Sequence, residues 1–260
     1  MLPRAMGVLP TFFIVGAPKS GTTSLHAYLA EHPGMAMTSV KECMVFAAAR
    51  WREKLASYAG LFEREAPVRG ESSTAYSSYP YAPEVPQRVA ETVPEARIVY
   101  VVREPVERVL AHYAQNVWDG LPVRPFDELM DDLEDPLNMP VWCSRYATQL
   151  ERWRAVVPDE RILVLDQRDL LLDRVATIRR TVAFVGADPA FGHPSWSVEH
   201  NTAAQHRLPT RWSRVLRRGG RVVPKPVLRD DQRQRLVALL GPEVERFREL
   251  TGQRFAHWSL

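Results

Sequence analysis

The residues best suited to chemistry in this 260-residue chain come first at 16–24, Gly-Ala-Pro-Lys-Ser-Gly-Thr-Thr-Ser, directly after an apolar run at 12–15. A buried strand that enters a glycine-bounded loop and then opens a helix forms a backbone cradle for phosphate. Successive N–H groups point inward, and the helix N-terminus adds a partial positive charge. The position of the lysine narrows the ligand. A nucleotide triphosphatase loop reads G-x-x-x-x-G-K-[ST]. Gly16 and Gly21 keep that glycine spacing, but Thr22 stands in the lysine position and Lys19 lies inside the loop. A phosphate cradle not built for ATP is the expectation.

A second candidate is Arg103, in Val-Val-Arg-Glu-Pro-Val-Glu-Arg at 101–108. It ends the β-branched run 97–102, which reads as a buried parallel strand. A guanidinium fork at that place suits bidentate capture of a phosphate separate from the one in the loop. A structural ion pair with Glu104 or Glu107 is an equally simple reading. Two anion sites at two strand ends imply a ligand phosphorylated at both its 5′ and 3′ ends.

The elements that must position these residues alternate along the chain. Strands are expected at 11–15, 68–71, 97–102 and 161–165, with a short extended piece at 35–38. Helices are expected at 21–31, 51–62, 86–92, 106–117, 145–156, 169–185, 231–240 and 242–250. Such alternation predicts an α/β fold, a P-loop-NTPase-like parallel sheet flanked by helices on both faces. Ligands bind such sheets at the carboxyl ends of the strands, where the loops after Val15 and Val102 lie. With no repeat or low-complexity linker, a single domain over 1–260 is expected: a nucleotide-binding core at about 10–185, then a basic loop and helices over 187–260.

Composition excludes several classes. Only four of the 34 basic residues are lysine (Lys19, Lys41, Lys54, Lys225), an arginine bias that reads as genome composition rather than as a nucleic-acid partner. Two cysteines, Cys43 and Cys143, are too few for a secreted disulfide framework and are read as free thiols in a reducing cytoplasm. No run approaches the ~20 apolar residues of a membrane span. A cytoplasmic protein with no membrane span is expected.

Taken together, 16–25 resembles the 5′-phosphosulfate loop of sulfotransferases, and Arg-Glu-Pro-Val-Glu-Arg at 103–108 resembles their 3′-phosphate motif. Lys41-Glu42 followed by Phe46 is similar to the segment that carries the catalytic glutamate in the heparan-sulfate-like branch. Gly70-Glu71 with Tyr76 matches that branch more loosely, and 250–258 resembles bacterial members. The resemblance implies 3′-phosphoadenosine 5′-phosphosulfate (PAPS) as sulfuryl donor, with no metal. It implies that Lys19 meets charge developing on the bridging oxygen, and that Ser20, Gly21, Thr22, Thr23 and Ser24 hold the 5′-phosphate. Glu42 is implied as the base that takes the acceptor's proton. A late basic loop implies Arg207 at the 3′-phosphate, and Trp196 is read either as an adenine platform or as a core residue. For the acceptor side, Glu71, Tyr76, His112 and Trp118 are the candidates, with 72–81 and 118–124 shaping the pocket. The expected acceptor is a hydroxyl, less readily an amine, on a small metabolite, glycan or lipid-linked glycan. Two departures stand out: Ala111 replaces the serine of the 3′-phosphate motif, and Ser72 replaces an acceptor-binding lysine.

Two other readings remain open at the sequence level. Asp166 closes the strand at 161–165 and mimics a Walker B aspartate, as a magnesium-dependent kinase or NTPase would need. The basic run 207–229 is compatible with a non-catalytic nucleotide or nucleic-acid binder, although no aromatic interleaving accompanies it.

Overall fold

The computed structural model describes residues 8–198 and 226–260. Five parallel strands form one sheet, β1 (Phe12–Gly16), β2 (Met35–Met37), β3 (Val68–Ser72), β4 (Arg97–Val102) and β5 (Ile162–Asp166), in the order β2-β3-β1-β4-β5. The pleat divides their apolar residues between two cores. Phe13, Val15, Ile98, Tyr100 and Val102 face α3 (Val85–Thr92), α7 (Tyr146–Arg154) and α10 (Asp230–Thr251). Phe12, Ile14, Val99 and Val101 face α1 (Thr22–Ala30) and α9 (Arg174–Val185). Because both faces are covered, β1 and β4 read as continuous apolar runs rather than alternating ones. The α/β sheet with helices on both faces is therefore as expected.

From β1 the chain turns one way to β2 and β3, then returns past β1 to β4 and β5. The reversal falls between β1 and β4, the switch point at which such sheets bind ligands. There the β1–β4 register shifts between Ile14 and Gly16, so the end of β1 departs from the ladder as it enters the loop.

The elements depart from expectation in four places. The helix expected over 51–62 is one α-turn, α2 (Trp51–Lys54), followed by 3₁₀ structure over Leu55–Leu61. The helix expected over 169–185 breaks at Asp173 into α8 (Gln167–Leu172) and α9. The two C-terminal helices are one, because α10 runs through Pro242. Its buried stripe, Leu236, Leu240, Val244 and Phe247, continues across the proline and offsets the lost hydrogen bond. After α4 (Pro105–Trp118), the short helices α5 (Phe126–Asp131) and α6 (Met139–Trp142) had no counterpart in the sequence reading. They close a third core with Val106, Val109, Leu236 and Leu240.

Candidate active site

The loop between β1 and α1 is shaped by steric exclusion and by left-handed backbone. A Cβ at Gly16 would lie 3.0 Å from the Tyr100 ring and 3.2 Å from Ser77. Lys19 and Gly21 have φ of 67° and 89°, and Gly21 caps α1. Ser20 is fully buried in this turn, and among the described residues its hydroxyl has no hydrogen-bond partner. A buried orphan hydroxyl is costly, and an anionic oxygen seated in the loop would satisfy it. Thr22 is buried, Thr23 exposed and Ser24 half-buried along the first turn of α1.

Lys19 Nζ donates to Gln115 Oε1 of α4 at 2.8 Å, and Gln115 Nε2 donates to Asp119 Oδ1 at 2.8 Å. Beneath the loop lies Arg108, a residue that the sequence reading gave no role. Fully buried, it donates from Nη1 to the Pro18 carbonyl at 3.3 Å, from Nε to Ser144 Oγ at 2.7 Å and from Nη2 to the Pro140 carbonyl. His112 Nδ1 lies 3.1 Å from Arg108 Nη1. Burial, then the charges of Arg108 and Lys19, push the His112 imidazole well below its ordinary value. It is therefore a neutral acceptor bracing Arg108. Spacing could have located Arg108, one turn into the helix after Arg103, but not its burial.

Arg103 begins where β4 ends, and Tyr146 locks its backbone. The Tyr146 hydroxyl donates to the Arg103 carbonyl at 2.7 Å and accepts from its N–H at 3.3 Å. The guanidinium is mostly shielded and pairs with Glu107 at 3.4 Å, so the ion-pair reading describes this state. Glu104 caps α4 by accepting from the Glu107 N–H, and Ser259 from the C-terminal tail donates to its other oxygen at 2.9 Å. Ala111 is buried on the same helix.

Glu42 sits in left-handed backbone with φ of 60°. Its N–H donates to the Ser72 carbonyl at 2.8 Å, which ties it to the carboxyl end of β3. Its carboxylate accepts from the Thr74 N–H at 2.7 Å, from the Thr74 hydroxyl at 3.1 Å, and from the Lys41 ammonium. Glu42, Lys19 and Arg103 thus belong to the carboxyl ends of the neighbouring strands β3, β1 and β4, with the phosphate loop in the middle.

Other expected residues lie elsewhere. Glu71 and Tyr76 are buried and are not available to an acceptor. The pleat of β3 turns Glu71 inward, where it accepts hydrogen bonds from Tyr58 and Ser73. Trp196 is not an open adenine platform. It is 1% exposed, donates from Nε1 to the Tyr28 carbonyl at 2.9 Å and packs edge-on to Phe191, which is the core reading. Trp118 ends α4 half-buried. Arg207 lies outside the described residues. Asp166 Oδ1 accepts from the Arg168 N–H at 2.8 Å and Oδ2 lies 3.2 Å from His257, so both oxygens are engaged. Moreover, β4 separates β5 from β1. Among the described residues no three His, Cys, Asp or Glu side chains gather as a metal cluster, and no helix is long and apolar enough to cross a membrane.

A parallel sheet with a glycine-bounded loop at its switch point and an arginine on the next strand is shared by several classes of protein. Comparison with known proteins names the class. The model of the sulfotransferase family matches residues 10–77 and 47–190, and the chain belongs to that family. It is similar to the human bifunctional heparan sulfate N-deacetylase/N-sulfotransferase 2, with 26% identity over 201 residues, 70% of this chain and 22% of that one. The chain thus spans about a fifth of the length of that relative. Among solved structures, a sulfotransferase from Alicyclobacillus acidocaldarius superposes with a TM-score of 0.74 at 26% identity, covering 97% of this chain and 100% of that one. Mouse sulfotransferase SULT7A1 complexed with PAP shares the fold, with a TM-score of 0.50 at 18% identity, covering 94% and 85%.

Proposed function

We propose that this protein moves a sulfuryl group from PAPS to a hydroxyl of a small metabolite, glycan or lipid-linked glycan. The observation that carries this reading is the orphan Ser20 hydroxyl in a loop that holds Lys19 inside it, with Glu42 on the β3 side and Arg103 on the β4 side. The donor's 5′-phosphosulfate fits the loop residues Ser20, Gly21, Thr22, Thr23 and Ser24, and its 3′-phosphate fits Arg103. The mouse structure with PAP supports the donor class, and the N-sulfotransferase relative supports a glycan among the acceptors.

The acceptor oxygen attacks sulfur in line as Glu42 takes its proton. The sulfur–oxygen bond to the 5′-phosphate breaks, and the bridging oxygen leaves with its electron pair beside Lys19. A cation at that oxygen stabilises charge that exists only as the bond breaks, so it accelerates the step rather than merely binding the donor. In this reading the transfer of sulfuryl uses no magnesium clamp.

Lys19→Met is expected to lower turnover of PAPS by about 10²–10³-fold while the melting temperature holds. Glu42→Gln is expected to lower it by about 10²–10⁴-fold. Thermal-shift titration with adenosine 3′,5′-bisphosphate, without magnesium, should stabilise the protein where ATP with magnesium does not. Near-normal turnover in Lys19→Met, or stabilisation by ATP with magnesium alone, would refute the reading.

A further inference from the structure

Glu71 is the buried acid that the transfer chemistry leaves unused. At the carboxyl end of β3 it is fully buried, and its carboxylate accepts from the hydroxyls of Tyr58 and Ser73, the latter at 2.7 Å. The Tyr76 hydroxyl and the Cys43 thiol lie close enough for its charge to act on both. None of these partners is a cation. Burial without one pushes the Glu71 carboxyl above its usual range. Burial first, and then the Glu71 charge, push the Cys43 thiol and the Tyr58 hydroxyl upward.

Two of these hydroxyls face the backbone that follows Glu42. Ser73 Oγ accepts from the Met44 N–H at 3.1 Å, and Tyr76 Oη accepts from the Phe46 N–H at 3.1 Å. A hydroxyl has a single proton. Because Ser73 gives its proton to Glu71, its lone pairs are left for the Met44 amide. The segment needs such fixing, since Glu42 and Met44 both hold left-handed backbone, at φ of 60° and 49°, which strains a residue that carries a Cβ.

We propose that Glu71 is a positioning residue: by fixing the polarity of the Ser73 hydroxyl, it holds the 42–44 turn in its left-handed path and so presents Glu42 to the acceptor. The proposal rests on Glu42 as base. Its own core, the oriented Ser73 hydroxyl and the Met44 amide it accepts from, is tested independently of catalysis.

The test is amide hydrogen exchange by NMR on the full chain, beside PAPS turnover with a mixture of simple alcohols, phenols and monosaccharides as acceptor. In Glu71→Gln one of the two acceptor oxygens becomes an N–H donor, so Ser73 must compete with Tyr58 for the oxygen that remains. Exchange at Met44 should then rise at least tenfold, relative to Ser73, whose N–H is bonded to the Ile14 carbonyl. Turnover should fall at least tenfold, with affinity for adenosine 3′,5′-bisphosphate held within twofold. Ser73→Ala should free Met44 alone, which keeps the test open should Glu71→Gln fold poorly. Unchanged exchange at Met44 in Glu71→Gln, or in Ser73→Ala, overturns the proposal. Faster exchange with full turnover in both Glu71→Gln and Glu42→Gln supports the positioning of the segment and removes Glu42 as base.

Discussion

Arg103, proposed above to hold the donor's 3′-phosphate, is held by an ion pair in this structure. Its guanidinium is paired with Glu107 one helical turn away, at 3.4 Å, with Glu107 about half exposed. An ion pair of that kind contributes about 0–1 kcal/mol, whereas a charge-assisted contact to phosphate contributes about 1.5–3 kcal/mol, so a phosphate displaces the carboxylate. Arg103→Ala is therefore expected to weaken binding of adenosine 3′,5′-bisphosphate by about 10–100-fold in isothermal titration. Glu107→Gln should tighten it a few-fold, since only the competitor is removed; a loss of affinity there would mean that Glu107 orients the arginine. Around Lys19, the neutral imidazole of His112 keeps a third positive charge away from Lys19 and Arg108.

At the scale of elements, the close approach of β3 to β1 and β2 is what brings Ser72, Ser73 and Thr74 under Glu42. Gly70 permits it. A Cβ there would lie 2.3 Å from the Phe12 ring and 2.5 Å from Met37 Sδ, both buried in the sheet. Gly70→Ala is expected to cost about 1–3 kcal/mol or more by overpacking, read as a lowered midpoint in denaturant unfolding. Because the strain enters β3, turnover should fall in that variant even where it remains folded. The loop at 16–24, the strand at 97–102 and the arginine at its end were legible because each depends on residues adjacent in sequence. The helices at 126–131 and 139–142 were not, being too short to show a period and formed only because α4 and α10 offer them an apolar face.

For the whole molecule, folding buries titratable groups far apart in sequence, and stability follows pH accordingly. His26 of α1 is pushed down to about 4, first by burial and then by the charge of Lys41. The folded protein refuses a proton that the unfolded chain accepts below about 6.5. That stability is complete above 6.5 and is lost as pH falls toward 4, about 2 kcal/mol by pH 4.5. Glu71, shifted upward, works in the opposite sense, contributing below its unfolded value near 4.5 and losing that contribution as pH rises. Comparison with His26→Gln therefore isolates the histidine. Between pH 7 and 4.5 the wild-type chain should lose about 2 kcal/mol more than the variant in urea unfolding, and parallel profiles would exclude the effect.

The sequence by itself determined the parallel sheet, the phosphate loop with its interior lysine, and the arginine one strand over. These follow from period, glycine spacing and charge, all properties of short contiguous stretches. Only the tertiary structure decided which side chains face a ligand. Glu71 and Tyr76 went beneath Glu42, Trp196 went into the core against Tyr28, and Arg108 and His112 went under the loop. The physical reason is that exposure belongs to the segments packed against a residue, and in each of these cases the covering segment lies elsewhere along the chain.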